Sequence, residues 1–171
     1  MFDLKTKADI WVLPLSGDKK AFPYLNNDYT EAAPRLSPNG KWLAYMSDKL
    51  GHFEVYVDTF AVDPSGAPST DRGSWQVSTG GGTRPVWSRD GKELFFVSAD
   101  RKMMVAAVSD SSGTRFDFAA PKALFDARIS GNPWEQFDVS GDGHFLMPVA
   151  VQQGATDPIT VIVNWTEGLK K

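Results

Sequence analysis

The chain lacks cysteine altogether and has two histidines among its 171 residues. Without cysteine it can form no disulfide, no thiolate nucleophile and no cysteine-ligated metal site. No apolar run approaches the roughly 20 residues that span a bilayer, and residues 1–9 lack the apolar core of a signal peptide. We therefore expect no membrane insertion by this chain and no export signal within it.

An excess of charge of one sign is also missing. Lys and Arg number 18 against 21 for Asp and Glu, which leaves a net charge of −3, and the basic residues are scattered along the chain. Proteins that bind a polyanion such as nucleic acid have their basic residues clustered on one surface. We therefore expect no nucleic-acid partner.

What the sequence does contain is an internal repeat. Three similar segments have turn glycines at Gly40, Gly91 and Gly143, at intervals of 51 and 52 residues. In each, a Ser-x-Asn/Asp-Gly type of turn separates two short strands, and glycine adopts the positive φ that such a turn requires at little cost. A period this long indicates one multi-strand unit per repeat.

Further strands are expected after each hairpin. Third strands are predicted at residues 53–60, 103–108 and 159–165, and fourth strands at 74–78 and 122–125. Residues 42–46 and 94–97 are apolar without alternation, so both faces of these strands must be covered. Antiparallel four-stranded meanders stacked around an axis satisfy that need, and we therefore predict an all-β protein of the β-propeller type.

The turn segments carry a family resemblance. Residues 85–92 resemble the TolB-like repeat, a WD-type propeller repeat with the pattern Pro-x-Trp-Ser-Pro-Asp-Gly-Lys, and depart from it at Arg89. Residues 34–41 have Leu36 in place of tryptophan and Asn39 in place of aspartate, and the third copy, residues 137–144, is the weakest. The ending, residues 159–171, is similar to propeller regions attached to bacterial serine/threonine kinases and to TolB-like sensor proteins, although the kinase motifs themselves are absent from the sequence.

The resemblance implies a bacterial protein on the periplasmic or extracytoplasmic side, and a division of the chain into blades. Residues 1–30 would form a half blade, 31–80 and 81–130 complete blades, and 131–171 a blade that lacks its last strand. About three four-stranded blades make a partial β-propeller, because closed propellers have four to eight. The place of residues 9–15 stays open.

An open arc leaves two blade faces bare. Each face covers roughly 300 Å². Leaving such a face exposed to water would lose on the order of 7 kcal/mol of stabilisation from apolar burial. We therefore expect a homodimer in which two chains pair head to tail into a ring of about six blades.

The residues that carry chemistry form no catalytic motif. The sequence has neither a Gly-x-Ser-x-Gly elbow nor a His-Glu-x-x-His motif. Ser37, Ser88 and Ser140 recur once per repeat, so their hydroxyls are expected to bond turn amides. His52 and His144 stand on different repeats and are expected in exposed loops. We predict no catalytic residue, no cofactor and no metal.

Tryptophan and the loop positions give the candidate site. Trp11, Trp42, Trp87 and Trp165 are expected in the cores between blades, whereas Trp134 follows a turn-rich segment. In a propeller, the loops before each inner strand and those between strands two and three gather around the channel on one face. The residues expected to cluster there are Tyr29, Glu31, His52, Arg84, Arg101, Trp134 and Glu135.

Mixed charge beside an aromatic ring suits a protein, a peptide or a small polar ligand. The resulting prediction is a non-enzymatic recognition module, a fragment of a larger sensor or TolB-like protein. Two alternatives stay open: a propeller enzyme of hydrolase or lactonase type with its site in the central channel, and a structural remnant with an unoccupied rim.

Overall fold

The computed structural model describes residues 7–62, 68–69, 72–110, 115–127, 129, 134 and 136–149. Within these ranges the secondary structure is β-strand, turn and irregular chain without a helix, which confirms the all-β prediction. The described part of the chain accordingly contains no helix with the length and hydropathy to cross a membrane. The strand predicted at residues 159–165 lies outside the described residues, as does Glu135.

Thirteen strands in the described part of the chain make up four antiparallel sheets. They are β1 (Ile10–Val12), β2 (Phe22–Leu25), β3 (Glu31–Leu36), β4 (Trp42–Ser47), β5 (Glu54–Thr59), β6 (Ser74–Gln76), β7 (Gly82–Trp87), β8 (Glu93–Ser98), β9 (Lys102–Asp110), β10 (Asp117–Phe118), β11 (Lys122–Asp126), β12 (Asp138–Val139) and β13 (Phe145–Leu146).

The two central sheets are the complete blades. The first is the predicted four-stranded meander β3-β4-β5-β6. The second begins in the same way with β7-β8-β9, but β10 and β11 both pair with β9 along its outer edge. The outer strand of this blade is therefore divided into two pieces, of which β10 was not predicted from the sequence.

The outer two sheets are hairpins. β1 pairs with β2, and β12 pairs with β13. The segment whose place was left open by the sequence thus forms the edge of the first sheet, and Ala8 continues it by a parallel bridge to Thr30 at the start of the first complete blade.

Three apolar cores join the four sheets in chain order. Tyr24 and Tyr45 belong to the core between the first hairpin and the first blade, and Phe95 and Phe137 to the core between the second blade and the last hairpin. The central core lies between the two blades and consists of Trp42, Ala44, Val55, Val57, Val77, Trp87, Leu94, Phe96, Ala106 and Phe116. Each complete blade is therefore covered on both faces, which makes the chain a partial propeller.

The tryptophans divide between core and surface. Trp42 is fully buried and Trp87 is 7% exposed, as predicted. The ring of Trp42 packs against Phe116 at a centroid distance of 5.2 Å. The prediction for Trp11 is wrong, because its side chain is 46% exposed. It lies on the outer face of the first hairpin, which no other sheet of the described residues covers.

The three turns close by the same hydrogen bonds. Gly40, Gly91 and Gly143 have φ values of 70°, 73° and 87°, as the turn chemistry requires. The serine that begins each turn accepts a backbone amide proton with its Oγ and donates to the Asn or Asp side chain two residues later. The serine hydroxyls therefore serve the turns, as predicted.

The third turn is one residue shorter than the first two. The amide of His144 donates to Ser140 Oγ at 3.0 Å, whereas Glu93 makes the corresponding bond to Ser88 Oγ in the second turn. His144 therefore takes the place of Glu93 in the hydrogen-bond pattern, and not that of the lysine suggested by the alignment.

The innermost strands of both blades contain a β-bulge. The pairing register shifts by one residue between Ala32 and Arg35 and again between Thr83 and Val86. At the centre of each bulge a residue other than glycine has a positive φ, 52° at Ala33 and 57° at Arg84. The bulge turns the second half of each inner strand, and in the first blade it sets the direction of Arg35.

Candidate functional site

The blades have two ends that differ in the loops they carry. The loops before the inner strands and those between the second and third strands meet at one end, which we call the loop face. There the backbone amide of Thr30 donates to Asp48 Oδ1 at 2.8 Å, and the amide of Gly82 donates to the carbonyl of Phe53 at 2.8 Å. The three Ser-x-Asn/Asp-Gly turns lie at the opposite end, the turn face.

The predicted site residues occupy different depths of the loop face. Tyr29 is 43% exposed and Trp134 is 54% exposed, and the side chains of His52 and Arg101 also reach the surface. Glu31 and Arg84 lie inside the protein instead, each with 3% of its surface exposed.

One of the predicted site residues, Trp134, packs against Phe53. The ring of Trp134 lies edge-on to the ring of Phe53 at a centroid distance of 6.4 Å, and His52 precedes Phe53 in the same loop. Within the described ranges, the side chains of Tyr29 and Arg101 make no hydrogen bond or ring contact with this group. Trp134 and Phe53 therefore form an exposed aromatic patch, which we call the loop-face patch, and His52 adjoins it in the chain.

Glu54 anchors the loop beneath this patch. Its side chain is 1% exposed and accepts hydrogen bonds from the Gly81 amide at 2.8 Å, from Ser78 Oγ, and from His52 Nε2 at 3.0 Å. Burial alone would raise the pKa of Glu54, but these hydrogen bonds outweigh burial and lower the pKa below its ordinary value of 4.5. The carboxylate ties the first blade to the link that leads into the second.

The chemistry of this network is structural. A serine nucleophile needs a histidine within hydrogen-bond reach to take its proton. Ser78 donates its proton to the Glu54 carboxylate instead and accepts the Val55 amide proton at 2.7 Å, so the proton that a base would have to take is already held by a carboxylate. Neither Glu54 nor Ser78 was predicted from the sequence, because 24 residues separate them.

A second buried carboxyl group stands nearer the first hairpin. Glu31 Oε1 accepts a hydrogen bond from Asn27 at 3.1 Å, whereas Glu31 Oε2 is buried and has no hydrogen-bond partner among the described residues. Burial, Asp9 and Asp48 raise the pKa of Glu31 despite the bond from Asn27. Although acidic groups lie close together here, the described residues contain no group of three His, Asp or Glu side chains arranged to hold a metal ion.

The turn face contains a cleft of about 590 Å³. It adjoins a second cavity of about 650 Å³ that shares Arg35 and Asp138 with it. The innermost strands of both blades and the last hairpin form its walls. We call it the turn-face cleft, and the residues that line it are Arg35, Leu36, Pro38, Val86, Trp87, Ser88, Arg89, Asp138, Val139, Ser140 and Gly141.

Comparison with known proteins gives two similar structures. One, described as a TolB from Agrobacterium tumefaciens, is 17% identical over 81% of this chain and 48% of that chain, with a TM-score of 0.46. The other, TolB from Acinetobacter baumannii, is 12% identical over 78% of this chain and 40% of that chain, with a TM-score of 0.38. The chain thus spans less than half the length of either protein.

No protein-family model matches the chain, and the search of curated proteins finds no significant match. Both similar structures are of proteins described as TolB. The description of the chain as a partial propeller rests on its own four stacked sheets.

Proposed function

We propose that this chain is a non-enzymatic recognition module that binds a protein or peptide partner through its loop face. The observation that carries the proposal is the loop-face patch, in which Trp134 is half exposed yet held edge-on against Phe53. An aromatic side chain that is fixed in place and still accessible is typical of the residues that dominate protein interfaces.

Other predicted residues would extend this surface. Tyr29 and Arg101 are exposed on the same face and would contribute contacts at its edges. Glu31 and Arg84 are buried, and we assign them to the support of the loops that carry the surface. Such a division between exposed contacts and buried supports is common in binding loops held by a rigid scaffold.

The test is affinity capture followed by measurement with the purified partner. We expect the unaltered chain and a Leu124→Ala control to retain the same partner, and Trp134→Ala to weaken the binding at least tenfold in calorimetry. Leu124 is a suitable control because it is 47% exposed on the outer strand β11. Equal affinity for Trp134→Ala would refute the assignment of the loop face.

The enzyme alternative makes a different prediction. A propeller hydrolase or lactonase would hold a metal ion or an acid–base pair in its channel. Its melting temperature would then rise with added calcium or zinc, and it would turn over ester or lactone substrates. Either result would replace the proposal of a recognition module.

We also propose that two chains associate through the ends of the arc. The outer face of the first hairpin is apolar, with Trp11 46%, Leu13 58% and Leu15 87% exposed. Covering such a face is favourable by about 25 cal/mol for each Å² of apolar surface. Light scattering should give twice the monomer mass of 18.8 kDa, and Trp11→Asp should restore the monomer. A monomer at micromolar concentration would exclude the pairing.

The family resemblance of the turn motifs supports two finer proposals, a place within a larger bacterial sensor or TolB-like protein and a location on the periplasmic or extracytoplasmic side. Cell fractionation with an antibody against the chain would test the location. A signal confined to the cytoplasm would contradict it.

A further inference from the structure

The turn-face cleft lies at the opposite end of the blades from the loop-face patch and is not needed for the function proposed above. Its volume of about 590 Å³ falls within the range of ordinary ligand sites. Apolar side chains form part of its wall, including Leu36, which is 51% exposed, and Trp87. The cleft is therefore large enough for a few residues of an extended peptide.

Arg35 is the distinctive polar group of the cleft. Its Nη2 donates to Gln136 Oε1 at 2.9 Å, and its Nη1 donates to the Pro34 carbonyl at 3.2 Å. A guanidinium has five N–H donors, so three of them have no acceptor among the described residues. The two bonds hold the group in place at the wall of the cleft, and the other donors remain for a ligand.

The position of Arg35 is fixed by the backbone as well. Trp87 Nε1 donates to the backbone carbonyl of Arg35 at 3.1 Å, which joins the inner strands of the two blades at this point. The β-bulge that precedes Arg35 sets the direction of the same strand segment. A ligand that bonds this guanidinium therefore loses little free energy in ordering it, which favours affinity.

A second arginine lies on the other side of the cleft. The side chain of Arg89 passes over Gly141, where an added Cβ would stand 2.8 Å from Arg89 Cδ. The acidic residue of the lining, Asp138, already accepts the Val139 amide proton at 2.8 Å. With two arginines and one aspartate, the lining carries one net positive charge in a chain whose net charge is −3.

We propose that the turn-face cleft binds an extended peptide through a carboxylate group. The carboxylate, from an Asp or Glu side chain or from a C-terminus, bonds the unused donors of Arg35, and Arg89 adds charge attraction from the other side. An apolar neighbour in the peptide packs against Leu36. Guanidinium groups match the planar geometry of a carboxylate, which makes such pairs strong and specific.

The test is affinity selection from two solution pools of random heptapeptides, one with free C-termini and one amidated. Peptides retained from the amidated pool are expected to contain Asp or Glu, and a requirement for the free C-terminus would instead identify the terminal carboxylate as the ligand. In fluorescence anisotropy, Arg35→Gln should weaken binding about ten- to hundredfold. Arg35→Lys should also weaken it, because lysine keeps the charge but not the paired donors.

Two control variants show whether the binding depends on the turn-face cleft. Lys92→Gln removes the same charge from an exposed turn position and should leave the affinity unchanged. Trp134→Ala alters the loop-face patch and should also have no effect. Retention of no peptide, retention without preference for a carboxylate, or binding to Arg35→Gln within twofold of the unaltered chain would overturn the proposal. Binding that is lost in Trp134→Ala and kept in Arg35→Gln would overturn it while supporting the loop face.

Discussion

Replacing Glu54 with glutamine tests how the first blade is tied to the second. The carboxylate is 1% exposed and accepts three hydrogen bonds, from Ser78 Oγ, the Gly81 amide and His52 Nε2. Glutamine has nearly the same shape but offers one acceptor oxygen in place of two. If that oxygen keeps the bonds from Gly81 and His52, the amide NH2 faces Ser78, whose own proton then lacks an acceptor.

The magnitude follows from these bonds. A buried hydroxyl without an acceptor costs about 1–3 kcal/mol, and converting charge-assisted bonds to neutral ones costs about 1 kcal/mol more. Relief of the burial of a charge offsets part of the loss. We therefore expect Glu54→Gln to lower the free energy of unfolding by about 2–3 kcal/mol at pH 7. Glu93→Gln, at an exposed position on β8, should change it by less than about 0.5 kcal/mol.

Urea unfolding at pH 7 measures the loss, and a double-mutant cycle with Ser78→Ala isolates the pair. Because Glu54 and Ser78 share a hydrogen bond, the loss of unfolding free energy in the double variant should be smaller than the summed losses of the two single variants by about 1–2 kcal/mol. Additive losses, or a loss for Glu54→Gln no larger than that for Glu93→Gln, would refute this account of the contact.

Lowering the pH should reduce the difference in stability between the unaltered chain and Glu54→Gln. The hydrogen bonds lower the pKa of Glu54 in the folded chain below 4.5, so its carboxylate stabilises the fold above that pH. As the pH falls from 4.5 towards the folded pKa, this contribution is lost. The stability gap between the unaltered chain and Glu54→Gln should therefore narrow below pH 4.5, and a gap that widens would contradict the lowered pKa.

Four other variants test other parts of the structure. Trp42→Ala should lower the free energy of unfolding by about 3–5 kcal/mol, because the ring of Trp42 is fully buried in the central core. Trp11→Ala should lower it by less than about 1 kcal/mol in the monomer, because Trp11 is exposed. Equal losses for the two variants in urea unfolding would contradict the placement of Trp42 in the core. Glu31→Gln should raise the urea midpoint of unfolding at pH 7, because burial raises the pKa of Glu31 and makes its charged form unfavourable. This gain in stability should shrink as the pH falls towards 4.5, where the Glu31 carboxyl becomes protonated in the folded chain. A lower urea midpoint for the variant at pH 7 would contradict the raised pKa. Gly91→Ala should lower the free energy of unfolding by about 1 kcal/mol, because Gly91 has a φ of 73°, which alanine adopts only with strain. An unchanged free energy of unfolding would show that the turn relaxes to accommodate alanine.

The turns and the central meanders were predictable because their signals are local. An Asn-Gly or Asp-Gly pair favours its turn whatever surrounds it, and uninterrupted apolar strands such as β4 and β8 require cover on both faces. Trp11 shows the limit of this reasoning. A tryptophan in a strand is usually buried, but burial depends on whether another sheet covers the face, and the local sequence does not contain that information.

Bulges and side-chain contacts could not be predicted for a related reason. Ala33 has a positive φ although alanine has no preference for it, so its conformation is imposed by the packing of the strand. Arg35 and Gln136 are 101 residues apart and become partners only when the last hairpin stacks on the second blade. The repeat pattern could therefore predict which loops lie at the same end of the blades, but not which charged side chains lie within hydrogen-bonding distance.

The hydrogen bonds of the Ser-x-Asn/Asp-Gly turns have a consequence for the order of folding. Each is satisfied within six neighbouring residues, as when Ser37 bonds Asn39 and the amide of Trp42. Loop closure over so short a distance is fast and loses little chain entropy. Every repeat thus contains a turn that can close before long-range contacts form, and neighbouring units can grow onto a folded unit in either direction. If two chains pair as proposed above, closing the ring would follow the folding of each chain, and its rate would depend on chain concentration.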